Sequence, residues 1–126
     1  MERIINSEKN SLYPIFLKAE NIQTLLVGGG NVGLEKSQSL LNNSPEIKLT
    51  IVAPLIKEEL KELASKYNYC RIIERKFDLA DLDNKQLVIC ATDDLELHKT
   101  IKAESNKRNI LVNVADTPGL CDFYLS

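Results

Sequence analysis

The 126-residue sequence lacks the features that mark several broad classes of function. It has a single histidine, His98, so a histidine-rich metal site or a Ser-His-Asp triad would have one residue on which to centre. Its three cysteines, Cys70, Cys90 and Cys121, are odd in number and lack metal-ligand spacing. With no export signal they read as reduced thiols of a cytoplasmic protein. The uninterrupted apolar runs are only a few residues long, too short for a membrane-spanning helix. The opening MERIINSEKN has no apolar core of the kind a secretory signal needs. Sixteen Lys and Arg stand against eighteen Asp and Glu, a net charge of −2 with no dense basic cluster, which argues against nucleic acid as a partner. No internal repeat, low-complexity tract or Gly/Ser linker divides the chain, and residues 1–126 read as one domain. What remains is ordinary for a soluble domain: 44% hydrophobic and 27% charged residues. A chain of this length buries roughly two thirds of its unfolded surface and needs no disulfide or metal staple.

Short apolar runs alternate with amphipathic stretches. Strands are predicted at residues 22–27, 47–52, 71–75, 86–91 and 110–114, and a sixth is predicted to begin at Phe123. Helices are predicted over 31–42, with Val32, Leu40 and Leu41 inward, over 55–67, and over 94–107. The last opens at Asp93 or Asp94, either a good N-cap. The alternation predicts an α/β fold, an open and mostly parallel sheet with helices on both faces. The first dozen residues are polar and predict a loose segment, after which Tyr13-Pro14-Ile15-Phe16-Leu17 packs on the sheet.

The most specific local signal is Val27-Gly28-Gly29-Gly30-Asn31-Val32-Gly33, which fits G-x-G-x-x-G through Gly28, Gly30 and Gly33. It follows a predicted strand and opens a predicted helix, as a dinucleotide-binding turn does. Gly28 permits the tight turn, Gly30 lets a diphosphate approach the main chain, and Gly33 lets the helix pack close to the sheet. The phosphates would rest on the N–H groups of Asn31 and Val32. The competing reading is a glycine-rich turn with no ligand. The second strand ends Val52-Ala53-Pro54-Leu55, without the carboxylate that often binds the ribose of NAD. Local chemistry therefore leaves NAD and NADP open; the absence of a basic group other than Lys57 at that tip leans to NAD.

Two acidic segments fall beyond predicted strand ends. In Ala91-Thr92-Asp93-Asp94 the aspartates read as helix caps, and Thr92 is the better candidate to line the nicotinamide side of a cleft. In Asn113-Val114-Ala115-Asp116-Thr117-Pro118-Gly119, Asp116 reads equally as a turn-former and as a base that takes a proton while a hydride leaves. His98 reads as a helix-surface residue, and Cys90 and Cys121 as buried small hydrophobes.

These motifs, taken in order with Cys121-Asp122-Phe123, resemble the N-terminal module of siroheme synthase and the stand-alone precorrin-2 dehydrogenases, some of which are also sirohydrochlorin ferrochelatases. The resemblance runs from about residue 11 to the end. It implies a Rossmann-like domain that uses NAD to oxidise precorrin-2 to sirohydrochlorin, with ferrous iron as a further substrate in some members. It places NAD contacts on Asn31, Val32, Pro54 and Leu55, makes Asp116 the proton-handling residue, and implies no resident metal. It also implies that family chains continue with a region that dimerises and helps form the tetrapyrrole cleft. The present chain is then the NAD-binding module without that region, and the full-length protein a homodimer. Two other readings stay open: a nucleotide-sensing module without turnover, and a chelatase that has lost dehydrogenation.

Overall fold

Strand residues point alternately to two buried faces, and that alternation organises the molecule. The structure is a computed structural model that describes residues 11–125. Five strands, β1 (Gln23–Val27), β2 (Lys48–Ala53), β3 (Cys70–Glu74), β4 (Leu87–Cys90) and β5 (Leu111–Val114), form a parallel sheet in the order β3-β2-β1-β4-β5. Leu26, Ile51 and Ile89 face one side, where they meet Leu41 of α1 (Asn31–Asn43) and Leu60 of α2 (Glu58–Ser65). Leu25, Val52, Val88 and Val112 face the other, where they meet Ile101 of α3 (Leu95–Lys107) and Leu82. Each fully buried Leu or Ile contributes roughly 1.5–3 kcal/mol relative to leaving it exposed. This is the Rossmann-like α/β architecture that the sequence predicts.

The order of the strands decides where a ligand fits. From central β1 the chain moves outward to β2 and β3, then returns across β1 to β4 and β5. The order reverses between β1 and β4, and a crevice opens beyond the carboxyl ends of these strands.

Several expectations are corrected. The second helix starts at Glu58, not at residue 55, because residues 55–57 are tied back to the sheet. The Lys57 N–H donates to Gly29 O (2.9 Å), and the Ile56 N–H donates to the Glu74 carboxylate (2.9 Å). Val32 is 41% exposed rather than inward, since the first turn of α1 stands over the crevice; Leu41 is the fully buried hydrophobic residue of that helix. Tyr13, Ile15 and Phe16 do not pack on the sheet but are exposed, Phe16 fully. The looseness expected before them falls mostly on residues 1–10, which lie outside the described residues. No strand forms at residues 123–125; the chain is instead held across β5 by side chains and by the Asp122 N–H, which donates to the Val112 carbonyl (2.7 Å). Asp122 accepts the Val112 N–H (3.0 Å) and pairs with Lys102 (2.6 Å), while Asn113 Nδ2 donates to the Phe123 carbonyl (3.0 Å).

The Ser37 hydroxyl on the inward face of α1 is fully buried and has no hydrogen-bond partner. Ser37→Ala removes that unsatisfied group and improves helix propensity, so it should raise unfolding stability by about 0.5 kcal/mol or more. Urea denaturation reads the change; a loss of stability would contradict the packing described.

Candidate functional site

The turn from β1 into α1 is shaped by three close main-chain approaches. Gly28 has φ +144°, and a Cβ there would collide with the carbonyl oxygen of Ala91 at the end of β4. A Cβ on Gly29 would collide with the Leu55 carbonyl oxygen and lie 2.8 Å from Ile56 Cα. A Cβ on Gly33 would lie 2.6 Å from the Gly28 carbonyl oxygen. Gly30 differs: its Cβ would meet nothing within 4 Å. Gly28, Gly29 and Gly33 are thus needed for the fold, whereas Gly30 keeps space open. Gly30 is also the N-cap of α1, so no side chain covers the helix start, and no acidic residue sits in its first turn. The first N–H groups of a helix have no intrahelical acceptor and favour an anion.

Beyond this turn lies a cleft of about 720 Å³. Its floor is Gly28 to Val32, one side is Ala53 to Leu55, and the other is Thr92 to Asp94, His98 and Asp116. The fold therefore brings all the sequence-predicted site residues except Gly33 to one crevice; Gly33 sits beneath it, in contact with the Gly28 main chain.

Asp116 is exposed and stands at φ +59°, a left-handed conformation that aspartate tolerates better than most residues. Its loop is closed from within. The Ala115 N–H donates to the Cys90 carbonyl (3.0 Å), tying the loop to β4. Cys121 Sγ accepts the Val114 N–H (3.2 Å), and its proton lies within reach of the Val114 and Thr117 carbonyls at 3.3 and 3.5 Å. Cys121 is thus a half-buried polar bridge rather than the buried hydrophobe expected. Cys90 is buried, and burial pushes its thiol up to about 12, which leaves it protonated. Asp94, not Asp93, caps α3, its Oδ1 accepting the Leu97 N–H (3.1 Å).

The matches to known proteins agree with this geometry. Residues 15–126 match a family model described as "Putative NAD(P)-binding". The chain belongs to this NAD(P)-binding family. It is 39% identical over 111 residues to the siroheme synthase of Psychrobacter arcticus, a match covering 88% of this chain and 20% of that one. It is 41% identical over 110 residues to the siroheme synthase of Tolumonas auensis, covering 87% of this chain and 22% of the relative. The solved structure of SirC, precorrin-2 dehydrogenase, superposes with a TM-score of 0.75 at 25% identity, covering 90% of this chain and 54% of that one. The chain thus spans about a fifth of the length of these siroheme synthases.

The cleft fits the dinucleotide of this NAD(P)-binding family. Among the described residues its walls carry three carboxylates, Asp93, Asp94 and Asp116, and no lysine or arginine. A diphosphate bound here would rest on main-chain N–H groups and the start of α1, and the space at Gly30 would admit that approach. The nearest organised cation is Lys57, whose Nζ donates to the side-chain oxygen of Asn31 (2.6 Å). In the sequence Lys57 stood out only as the basic group at the tip of β2; its bond to Asn31 sets it beside the glycine turn. Gly29 was also missed, because the glycine fingerprint leaves its position free. At the tip of β2, Glu74 of neighbouring β3 is occupied with the Ile56 N–H and with Lys61 (3.0 Å). The hydrogen bond from Lys61, and then that from Ile56, holds its carboxyl below the ordinary range.

His98 overturns its expectation. It is 3% exposed, on the same inward stripe of α3 as Ile101 and Ser105, and its Nε2 lies 2.6 Å from Thr92 Oγ1. The spacing from Ile101 was the available signal. Burial, opposed by Asp94 and Asp93, holds its pKa below the ordinary 6.5.

Two predictions follow from the site's geometry. Gly30→Ala should leave thermal stability nearly unchanged yet weaken NAD binding at least tenfold by calorimetry, whereas Gly29→Ala should cost about 2 kcal/mol or more in stability. Equal effects on folding from both would contradict the assignment of Gly30 to ligand space. Because the folded pKa of His98 is lowered, the unfolded chain takes up the proton first as pH falls. Its contribution to stability is full above about 6.5 and declines below that value. Thermal denaturation between pH 7 and 5 should show this loss, and His98→Gln should flatten it.

Proposed function

We propose that this chain is the dinucleotide-binding part of an NAD-dependent dehydrogenase that oxidises precorrin-2 to sirohydrochlorin. The observation that carries the reading is the placement of Asp116 and the glycine turn on one cleft, at the reversal point of the sheet. The names of the relatives, siroheme synthase and precorrin-2 dehydrogenase, support the substrate. NAD is preferred to NADP because, among the described residues, no basic side chain walls the cleft at the Pro54 and Leu55 end.

In this reading the main chain at Gly30, Asn31 and Val32 holds the diphosphate, and Pro54 and Leu55 flank the adenosine. Thr92 borders the nicotinamide. NAD⁺, when bound, supplies the hydride acceptor. Asp116, on its braced loop, takes the proton released as the substrate loses a hydride, so precorrin-2 and NAD⁺ give sirohydrochlorin, NADH and a proton. Ferrous iron enters the reading as a second substrate that would meet the same aspartate. We infer a homodimer for the full-length protein, and the exposed Tyr13, Ile15 and Phe16 support a covering partner for this face. The three free cysteines support a cytoplasmic setting.

The left-handed conformation at residue 116 decides how the base is tested. Asp116→Ala would confound lost chemistry with backbone strain, whereas asparagine is comparatively tolerant of that conformation. With precorrin-2 and NAD⁺, Asp116→Asn should bind NAD with unchanged affinity and form NADH at least 100-fold more slowly. NADH formation at the parent rate would remove Asp116 from the reaction. Dinucleotide binding with no NADH from the parent would favour a sensing module, and iron insertion with no NADH would favour a chelatase.

A further inference from the structure

The single histidine of the chain is buried at the cleft wall and has no part in the proton transfer described above. His98 Nε2 lies 2.6 Å from the Thr92 hydroxyl oxygen, and both residues face the cleft. The same hydroxyl oxygen accepts the Asp94 N–H at 3.0 Å. Asp94 in turn accepts the Leu97 N–H through its carboxylate (3.1 Å) and the His98 N–H through its carbonyl (3.1 Å). Residues 92–98 are therefore tied into one closed turn between β4 and α3.

A hydroxyl has one proton and two lone pairs. The Asp94 N–H occupies one lone pair. The imidazole occupies either the proton or the second lone pair, according to its tautomer. One hydrogen-bonding position of Thr92 remains in either case, and its direction is fixed by the other two. The topology sets this position on the β4 side of the reversal point, opposite the Pro54 and Leu55 wall. In a dinucleotide laid with its diphosphate over β1, one half lies to each side.

We propose that His98 is a positioning residue that locks the Thr92 hydroxyl so that its remaining hydrogen-bonding position meets the carboxamide of the nicotinamide ring. A carboxamide both donates and accepts, so either tautomer of His98 completes the contact. The inference rests on the dinucleotide reading of the cleft and adds a recognition pair for one half of that ligand. A histidine that merely fills the core would stabilise the fold without distinguishing the two halves.

Affinities for NAD⁺ and for ADP-ribose, which lacks the nicotinamide, separate these roles in the full chain. Thr92→Val and His98→Phe should each weaken NAD⁺ roughly five- to tenfold, the worth of one hydrogen bond, and leave ADP-ribose unchanged. The double variant should be no weaker than the singles, and His98→Gln, which keeps a polar atom on the side chain, should recover part of the loss. Parallel loss for both ligands, or unchanged NAD⁺ affinity in Thr92→Val, would overturn the proposal. Thr92→Val reads the same contact if His98→Phe fails to fold. A parent chain that binds neither ligand would overturn the dinucleotide reading itself, and this inference with it.

Discussion

Main-chain contact at the end of β1 is the constraint on which the structure depends. Gly28 touches the end of β4, Gly29 touches the loop after β2, and the Gly28 carbonyl touches Gly33 of α1. Three separate elements converge on two peptide units because no side chain keeps them apart. That convergence brings the strand ends on both sides of the reversal point within reach of one ligand. A Cβ at Gly28, Gly29 or Gly33 would push one of the three away. A Cβ at Gly30 would push none, which marks it as the place where the protein leaves room for something else.

The charge pattern of the cleft follows from the same constraint. With carboxylates on the Thr92 and Asp116 side and no lysine or arginine among the described residues of its walls, the cleft would repel a diphosphate held by side chains alone. In the proposed mode the uncapped start of α1 supplies the attraction through oriented N–H groups, and Lys57, held on Asn31, adds a nearby positive charge. Asp116 is kept some distance along the edge, on a loop braced by Cys121 and tied to β4. The glycine turn and Asp116 thus stand at the ends of different strands along one sheet edge.

The parts of this arrangement that were legible in the sequence are those set by local pattern. Leu25 to Val27, Ile51 and Val52, and Val88 to Cys90 are apolar enough to announce buried strands, and the glycine spacing announces the turn. Asp116 was legible as a candidate through the turn chemistry and family likeness of its segment. What was not legible depends on contacts far apart in the chain. The late start of α2 reflects the hold of Gly29 and Glu74 on residues 56 and 57. Val32 looked like a core residue because periodicity cannot show that a helix start overhangs a crevice. Phe123 looked like a strand because the bond from Asn113 that holds its carbonyl comes from ten residues earlier. His98 was misplaced because a lone histidine on a charged helix is ordinarily solvated.

The proposed dinucleotide lies on the main chain where β1 becomes α1, and the rest of the reading stands or falls with it. The most direct measurement is an amide-resolved NMR titration of the chain with NAD⁺. The largest shifts should fall on residues 28–32, with further shifts at residues 55, 92 and 116 on the two walls. Saturable binding whose shifts cluster elsewhere and leave Gly30, Asn31 and Val32 unmoved would contradict it.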